Sequence, residues 1–504
     1  MKIWLDTARA HSLALAIGLL AFASLLMLSP QWGMLLSNSD DPWIVRSTWN
    51  EIQQTASSQG RFWLIPINVM AGLPYKLGGW ALGNATKIAV NGLTLLSFTI
   101  FLSRLVNLRY ALVCVLAWLA LMDVSNGYYS AFHGFSLMFN LQMGTLFLSL
   151  WWYLGAIDAG KSGFQLAGPY LLFGFALLAY EPMLFFAAAY FAAALYRRHT
   201  DPANEAATTA RQRLRELIRW TTGWIAANWM LLAVVFAYLA AYFSYRHFLA
   251  TSTRGIDLGG EVSDIVKTIY RFSVYGFHFE FSPLSRLLDE TSSLQTAVIS
   301  IGFGLCLALA GLLLLPATDR DTREQALRTP AALAFIAFFV FSPNILHGFV
   351  EGYRQWAAES PYYVGNYLSS FALAILAANG MVALVGGAKT RQEPLLFALV
   401  VYLLASSATD NMHRWSTLAE TNRRDGKLWM QAIAELRPPI ATSSGDTLHI
   451  CGKDAPEKVS GDDTFWSYEL SRELGKKIEF LSKRLNSARC DLVIDFNRYR
   501  QPSR

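Results

Sequence analysis

The sequence predicts a polytopic α-helical membrane protein that carries a small soluble α/β domain at its C-terminal end, and three observations predict it. Of 504 residues, 54% are hydrophobic and 15% charged, far from the composition of a water-soluble domain. The apolar residues fall into about eleven runs that can span a bilayer, near 12–28, 86–103, 109–122, 135–155, 164–180, 182–196, 222–244, 295–315, 330–346, 366–387 and 394–408. Lys and Arg cluster between these runs, so a formal charge of +6 orients the chain in a membrane. No basic stripe interleaved with aromatics is present, and a nucleic-acid partner is not expected.

The first run, Ser12 to Leu28, follows Lys2 and Arg9 and is long enough to cross about 30 Å of hydrocarbon. Leu28-Ser29-Pro30 leads into Trp32 rather than a small-x-small cleavage site, so the run is read as a first transmembrane helix and not a removed leader. Further on, Arg104 and Arg109, Lys161, Arg197 to Arg219, Arg320 to Arg328, and Lys389 with Arg391 mark alternate loops as cytoplasmic. The opposite side receives 31–85, 123–134, 181, 245–294, 347–365 and everything after 408. The N-terminus is then cytoplasmic and the C-terminal domain extracytoplasmic.

Two of the outer segments are too long to be simple connectors. Residues 31–85 hold a polar stretch from Asn38 to Arg61, then an apolar, Pro- and Gly-broken stretch from Phe62 to Trp80 that reads as interfacial or re-entrant. Residues 245–294 hold helical spacing from Val262 to Phe272. A membrane part of 1–408 precedes a soluble part of 409–504. In the latter, His413 to Leu436 reads as a polar helix ended by Pro438 and Pro439, Thr447 to Cys451 as a strand, Phe465 to Leu485 as a helix and Cys490 to Phe496 as a second strand. Cys451 and Cys490 border those strands, and a disulfide between them is permitted outside the cytoplasm. Cys114 and Cys306 lie within apolar runs and read as core. No internal repeat or low-complexity tract is present.

Chemistry-bearing residues collect in the outer segments. Ser37-Asn38-Ser39-Asp40-Asp41-Pro42-Trp43 sets two carboxylates at a membrane boundary, where an apolar wall raises a carboxyl pKa toward the range of a general base. The same residue types also build turns. Gln59-Gly60-Arg61-Phe62-Trp63 places a cation beside aromatics, suited to gripping a phosphate or to anchoring the chain at the interface. Ala179-Tyr180-Glu181-Pro182 sets a lone acid in an otherwise apolar stretch, either in a tight outer turn or facing a polar cavity. His133, His247, His278, His347, Arg354 and Glu359 complete the set. Arg354 suits a phosphate, an anchor role or a pair with Glu351. No His pair has metal-ligand spacing, and the chain lacks a Walker loop, a dinucleotide fingerprint and a Gly-x-Ser-x-Gly elbow.

This layout resembles the GT-C superfamily of membrane glycosyltransferases, and within it the bacterial enzymes that decorate surface glycans. The resemblance rests on Asp40-Asp41, Gln59-Gly60-Arg61 and Tyr180-Glu181-Pro182, with the long first outer loop and the soluble outer tail. It implies a sugar taken from a polyprenyl-phosphate donor and passed, with inversion, to a glycan or protein acceptor at the outer face of the bacterial inner membrane. Asp40 or Asp41 would deprotonate the acceptor, Arg61 and Arg354 would neutralise the departing lipid phosphate, and Glu181 would orient the acceptor or assist a metal. Gln59, Tyr180 and His133 belong to the expected substrate-binding set. No cofactor is assigned, and a divalent cation is left open because neither Asp123 nor Glu181 has a second acid two residues away. Two alternatives remain, a lipid-linked glycan transporter or flippase, and an O-antigen-type polymerase or ligase relying on Arg254, Arg271, His278 and Arg286.

Overall fold

The computed structural model describes residues 2–32, 34, 44–62, 64–123, 137–178, 180–200, 210–250, 260–281, 293–315, 330–359, 364–387, 393–442, 447–454, 463–481 and 490–498. Asp40, Asp41 and His133 lie outside the described residues.

Apolar runs become helices because a backbone in hydrocarbon has to satisfy its own N–H and C=O groups. In chain order these are α1 (Lys2–Leu28), α2 (Trp49–Gln59), α3 (Leu64–Leu105), α4 (Leu108–Leu121), α5 (Met138–Asp158), α6 (Ala167–Leu177), α7 (Ala187–Thr200), α8 (Ala210–Ala227) and α9 (Trp229–Phe248). There follow α10 (Val262–Val274), α11 (Leu294–Leu314), α12 (Pro330–Phe341), α13 (Glu351–Glu359), α14 (Val364–Gly387) and α15 (Glu393–Thr442). Among the described residues, 7 helices are long and apolar enough to cross a membrane. The expected count of about eleven is not reached on those terms. The runs at 109–122 and 164–180 form the shorter apolar helices Leu108–Leu121 and Gly163–Leu177. The run at 135–155 carries Asn140, Gln142, Thr145 and Ser149, all buried inside the bundle, and the run at 182–196 forms a 14-residue helix that ends in Arg197-Arg198-His199.

The stretch from Phe62 to Trp80 is helical from Leu64 onward and joins the following span through a kink at Gly78 and Gly79. Gly79 adopts φ 59°, ψ −154°, a conformation that side-chain-bearing residues avoid, so glycine is what permits the bend. The loops expected on one side do meet. Arg104 and Arg197 both reach Asp158, at 3.4 and 3.5 Å, tying the ends of α3, α5 and α7 together.

At the other extreme, α15 is 50 residues long, about 75 Å at 1.5 Å per residue, more than twice the hydrocarbon thickness. The last span and the expected polar helix are therefore one continuous helix, which runs past Pro438 and Pro439 to Thr442 instead of stopping before them. Its distal part forms the floor of the C-terminal domain. Strands β1 (Thr447–Lys453), β2 (Lys477–Leu481) and β3 (Leu492–Asp495) make a parallel sheet in the order β2-β1-β3, with α16 (Asp463–Leu474) connecting β1 to β2. The expected helix over Phe465 to Leu485 is thus corrected. It ends at Leu474, Gly475 turns the chain, and Ile478 and Phe480 alternate inward from a strand. Trp429 of α15 packs tilted against Trp466, with ring centroids 4.2 Å apart, meets Phe480 edge-on and stacks over Phe496. Val45 and Tyr75 enter the same core, so the soluble domain rests on the first long loop. Cys451 and Cys490 are disulfide-bonded and close a loop with a separation of 39 residues.

Two expected outcomes follow from this domain. Alkylation of the native protein leaves Cys451 and Cys490 unmodified until reduction, and Cys451→Ala with Cys490→Ala destabilises the domain by about 4 kcal/mol on the chain-entropy account, seen as faster proteolysis after α15. Glu469 on α16 is buried beside Arg472 at 2.8 Å. Burial pushes its carboxyl up from 4.5 to about 7, with Arg472 opposing and Glu473 adding to the shift. A raised carboxyl pKa favours the protonated fold, so this contribution is full below about 4.5 and is lost as pH rises through about 7. The difference in melting midpoint between wild type and Glu469→Gln should change across that window, and a difference independent of pH would refute the assignment.

Candidate functional site

Three of the expected site residues, Arg61, Tyr180 and Glu181, meet at the end of the bundle opposite Arg104, Asp158 and Arg197. Helix α2 opens with a Thr48–Glu51 capping box and closes on Gly60, whose φ of 66° lets the chain reverse so that Arg61 N–H bonds back to the Ala56 carbonyl at 2.9 Å. This reversal delivers the Arg61 side chain to the turn between α6 and α7. There Tyr180 is extended and Glu181 opens a short 3₁₀ segment with Pro182 in its first turn. Arg61 Nε lies 3.1 Å from Glu181 Oε1, with both side chains largely buried. Glu181 lies in the tight turn, which points the acid at Arg61.

Burial alone would make the Arg61 guanidinium easier to deprotonate, but Glu181, Tyr353 and Tyr180 outweigh it and raise its pKa, so the cation is permanent. Beside it, the buried Tyr180 hydroxyl meets His347 Nε2. On the other side of the ring, Nδ1 is 2.9 Å from the side-chain oxygen of Asn344, whose amide nitrogen donates to the Phe272 carbonyl at 3.0 Å and to Ser273 and Ser369 at 3.1 Å. An amide nitrogen so committed leaves its oxygen as acceptor. His347 therefore carries its proton on Nδ1, and Tyr180 donates to Nε2. The result is a rigid polar lattice joining α2, the α6–α7 turn, the end of α12 and α10.

The other candidates are placed as follows. Gln59 ends α2 half-buried. Arg354 is not on the Arg61–Glu181 pair. It donates to the Gly348 carbonyl at 3.1 Å and lines a separate polar pocket of about 290 Å³ with Asp264, Lys267, Thr268, Glu351 and Gln355. Its neighbour Tyr353 is the residue that faces Arg61. Glu351 is bonded by Gln355 at 3.2 Å. Asp123 pairs with Arg414 at 2.9 Å.

Several residues escape a reading of the sequence. Asn344 and Tyr353 have no motif, although Ser342-Pro343-Asn344 interrupts an apolar run and is itself a signal of a helix break. Lys87 is buried inside a span, on the stripe Asn84, Lys87, Asn91 and Thr94 that recurs at helical spacing on α3. Asn84 and Asn91 on that stripe reach Met34 and Gln31 next to α1, at 2.8 and 3.4 Å. An apolar cavity of about 560 Å³ lies between α3, α5, α7, α12 and α14, walled by Phe98, Phe101, Met143, Phe147, Tyr196 and Phe335. It extends to Leu105 and His199, toward the cationic end, and holds neither Arg61 nor Glu181 in its lining. Among the described residues, His278, Glu280 and Asp410 form the one group with the geometry to hold a metal ion.

Fold and site together define a polytopic membrane protein with a preformed, charge-paired polar site at one end of its bundle. No family model and no curated protein matches the chain. Among solved structures it is similar to ArnT from Cupriavidus metallidurans bound to undecaprenyl phosphate, at 14% identity over 96% of this chain and 90% of that one, with a TM-score of 0.40. The same protein in the apo state gives 12% identity over 96% and 89%, with a TM-score of 0.36.

The pair is testable without any substrate. Arg61→Met alone leaves the Glu181 carboxylate buried without its cation and lowers stability by on the order of 3 kcal/mol, whereas Arg61→Met with Glu181→Leu recovers most of that loss. Thermal unfolding in detergent reads both, and additive losses would mean that the two residues do not act as a pair.

Proposed function

We propose that the chain is a membrane glycosyltransferase that moves a sugar from a polyprenyl-phosphate donor to a glycan or protein acceptor at the outer face of a bacterial inner membrane. The observation that carries this reading is the meeting of Arg61, Tyr180 and Glu181, from separate loops, at the end of the bundle that also receives the first long loop. Asp40 or Asp41 on that loop deprotonates the acceptor hydroxyl. Its oxygen then attacks the anomeric carbon with inversion, the bond from that carbon to the phosphate oxygen breaks, and polyprenyl phosphate leaves with the electron pair. A fixed guanidinium is what such a leaving group needs, and Glu181 keeps Arg61 in place without neutralising it by proton transfer. The cationic loops at the other end and the Cys451–Cys490 disulfide both favour placing the site and the C-terminal domain outside the cytoplasm.

A second reading is favoured by Lys87, a charge buried within a span, as transporters of lipid-linked glycans place theirs. One assay separates the two. Purified protein given a polyprenyl-phosphoryl sugar and an envelope glycan acceptor should release polyprenyl phosphate, detected by mass spectrometry. Asp40→Asn with Asp41→Asn should lower turnover by about 10²- to 10⁴-fold, and Arg61→Gln by about 10²- to 10³-fold. Full turnover in the double Asn variant removes both carboxylates from the mechanism. Movement of a lipid-linked glycan across proteoliposomes without covalent transfer identifies a transporter.

A further inference from the structure

We propose that His278, Glu280 and Asp410 form a binding site for one divalent transition-metal cation, of the zinc or manganese type, separate from the Arg61–Glu181 pair. Residues 275–281 continue from α10 across the end of the bundle and are fixed along their length. Asp123 N–H donates to the Gly276 carbonyl and His278 N–H to the Leu121 carbonyl, each at 2.8 Å, flanking an antiparallel bridge between Met122 and Phe277. Glu280 N–H donates to Ser407 Oγ at 3.0 Å. Side chains alternate along an extended segment, so His278 and Glu280, two residues apart, leave on the same face. That face meets Asp410 of α15, which is fully buried.

The donor atoms are already near the spacing a metal imposes. His278 Nε2 is 3.2 Å from Asp410 Oδ2 and 3.8 Å from Glu280 Oε2, and the three ligand atoms lie within 4.8 Å of one another. A tetrahedral ion with bonds of 2.0–2.1 Å separates its ligands by about 3.3 Å, so a cation seats here when the donor separations change by no more than about 1.5 Å. The Nε2 atom is buried and makes no hydrogen bond among the described residues, although it lies against two carboxylates.

Arg414 bridges Asp410 at 3.0 Å and Asp123 at 2.9 Å, so the Asp410 carboxylate is held in place on α15 beside His278. The partial exposure of His278 and Glu280 leaves a way in. One imidazole with two carboxylates suits zinc or manganese, whereas calcium and magnesium take oxygen ligands. The bound ion would fasten the segment after α10 to α15, the helix that carries the C-terminal domain.

The test uses the tag-free full chain in detergent, stripped with chelator and titrated by calorimetry with Zn²⁺ alone, Mn²⁺ alone and Mg²⁺ alone. One equivalent of Zn²⁺ or Mn²⁺ should bind at least about 10-fold more tightly than Mg²⁺, and His278→Gln and Glu280→Gln should each weaken it by about 10-fold or more. His449→Gln, which changes a histidine of the C-terminal sheet paired with Glu479, should leave binding unchanged. X-ray absorption of the zinc-loaded wild type should report one imidazole with oxygen ligands and no sulfur, which keeps the proposal open to refutation even where a variant fails to fold. The proposal is overturned by absence of saturable binding in the stripped wild type, by unchanged affinity in His278→Gln, by loss in His449→Gln, or by a sulfur-containing ligand set.

Discussion

A charge enclosed by an apolar bundle has to be neutralised within reach of its own atoms, and the site end of this protein is organised by that requirement. Arg61 is held by Glu181, and Arg414 is held by Asp123 and Asp410. The Arg61–Glu181 and Arg414–Asp123 pairs join segments far apart in the chain and so decide which loops lie together, while Asp410 sits one turn from Arg414 on α15. The contrast with the other end is physical. Arg104, Arg197 and Asp158 are substantially exposed, water screens them, and their contacts register the loops without fixing a chemical environment.

The element that makes both buried clusters possible is α10 with its extended continuation. Its amphipathic face buries Ile265, Thr268, Phe272 and Ser273, while Val262 and Val266 remain exposed, as expected of a helix lying along a membrane surface. The Phe272 carbonyl and Ser273 hydroxyl take the Asn344 amide that sets the tautomer of His347. A few residues further on, the same chain bridges Met122 and presents His278 to Asp410. Asn366 at the start of α14 ties to the Arg271 carbonyl at 3.2 Å and fixes the junction between the two clusters. Disturbing α10 would therefore be felt at both.

The C-terminal domain shows where local signals mislead. Phe465 to Leu485 has the composition of a helix, yet Gly475 in the left-handed region and the inward alternation of Ile478 and Phe480 make its second half a central partner of β1. The Pro438-Pro439 pair reads as a stop, yet the helix persists to Thr442 because Trp429, Ile433, Leu436 and Ile440 are buried on one face against the sheet. Arg472 lies near the kink at Gly79 and within reach of the Tyr75 carbonyl at 3.5 Å, so the domain sits on the bend that leads into α3.

What the sequence determined by itself was set by composition and period. Hydrocarbon forces apolar runs into helices, so the membrane character, the helices and the gathering of Arg104 and Arg197 at one end were legible from residue types alone. A bond between Cys451 and Cys490 was permitted by the sequence but decided by the pairing of β1 with β3, which makes their strands neighbours. Arg61, Tyr180 and Glu181 were legible as candidates because each is a polar residue in an apolar setting. Only the tertiary structure decided that Arg61 meets Glu181 while Arg354 turns to a different pocket, that Tyr353 and Asn344 complete the first cluster, and that His278 and Glu280 meet Asp410. The reason is that neutralising a buried charge is a through-space condition. Its partner is whichever side chain the packing brings within about 3–4 Å, and no periodicity along the chain encodes that distance.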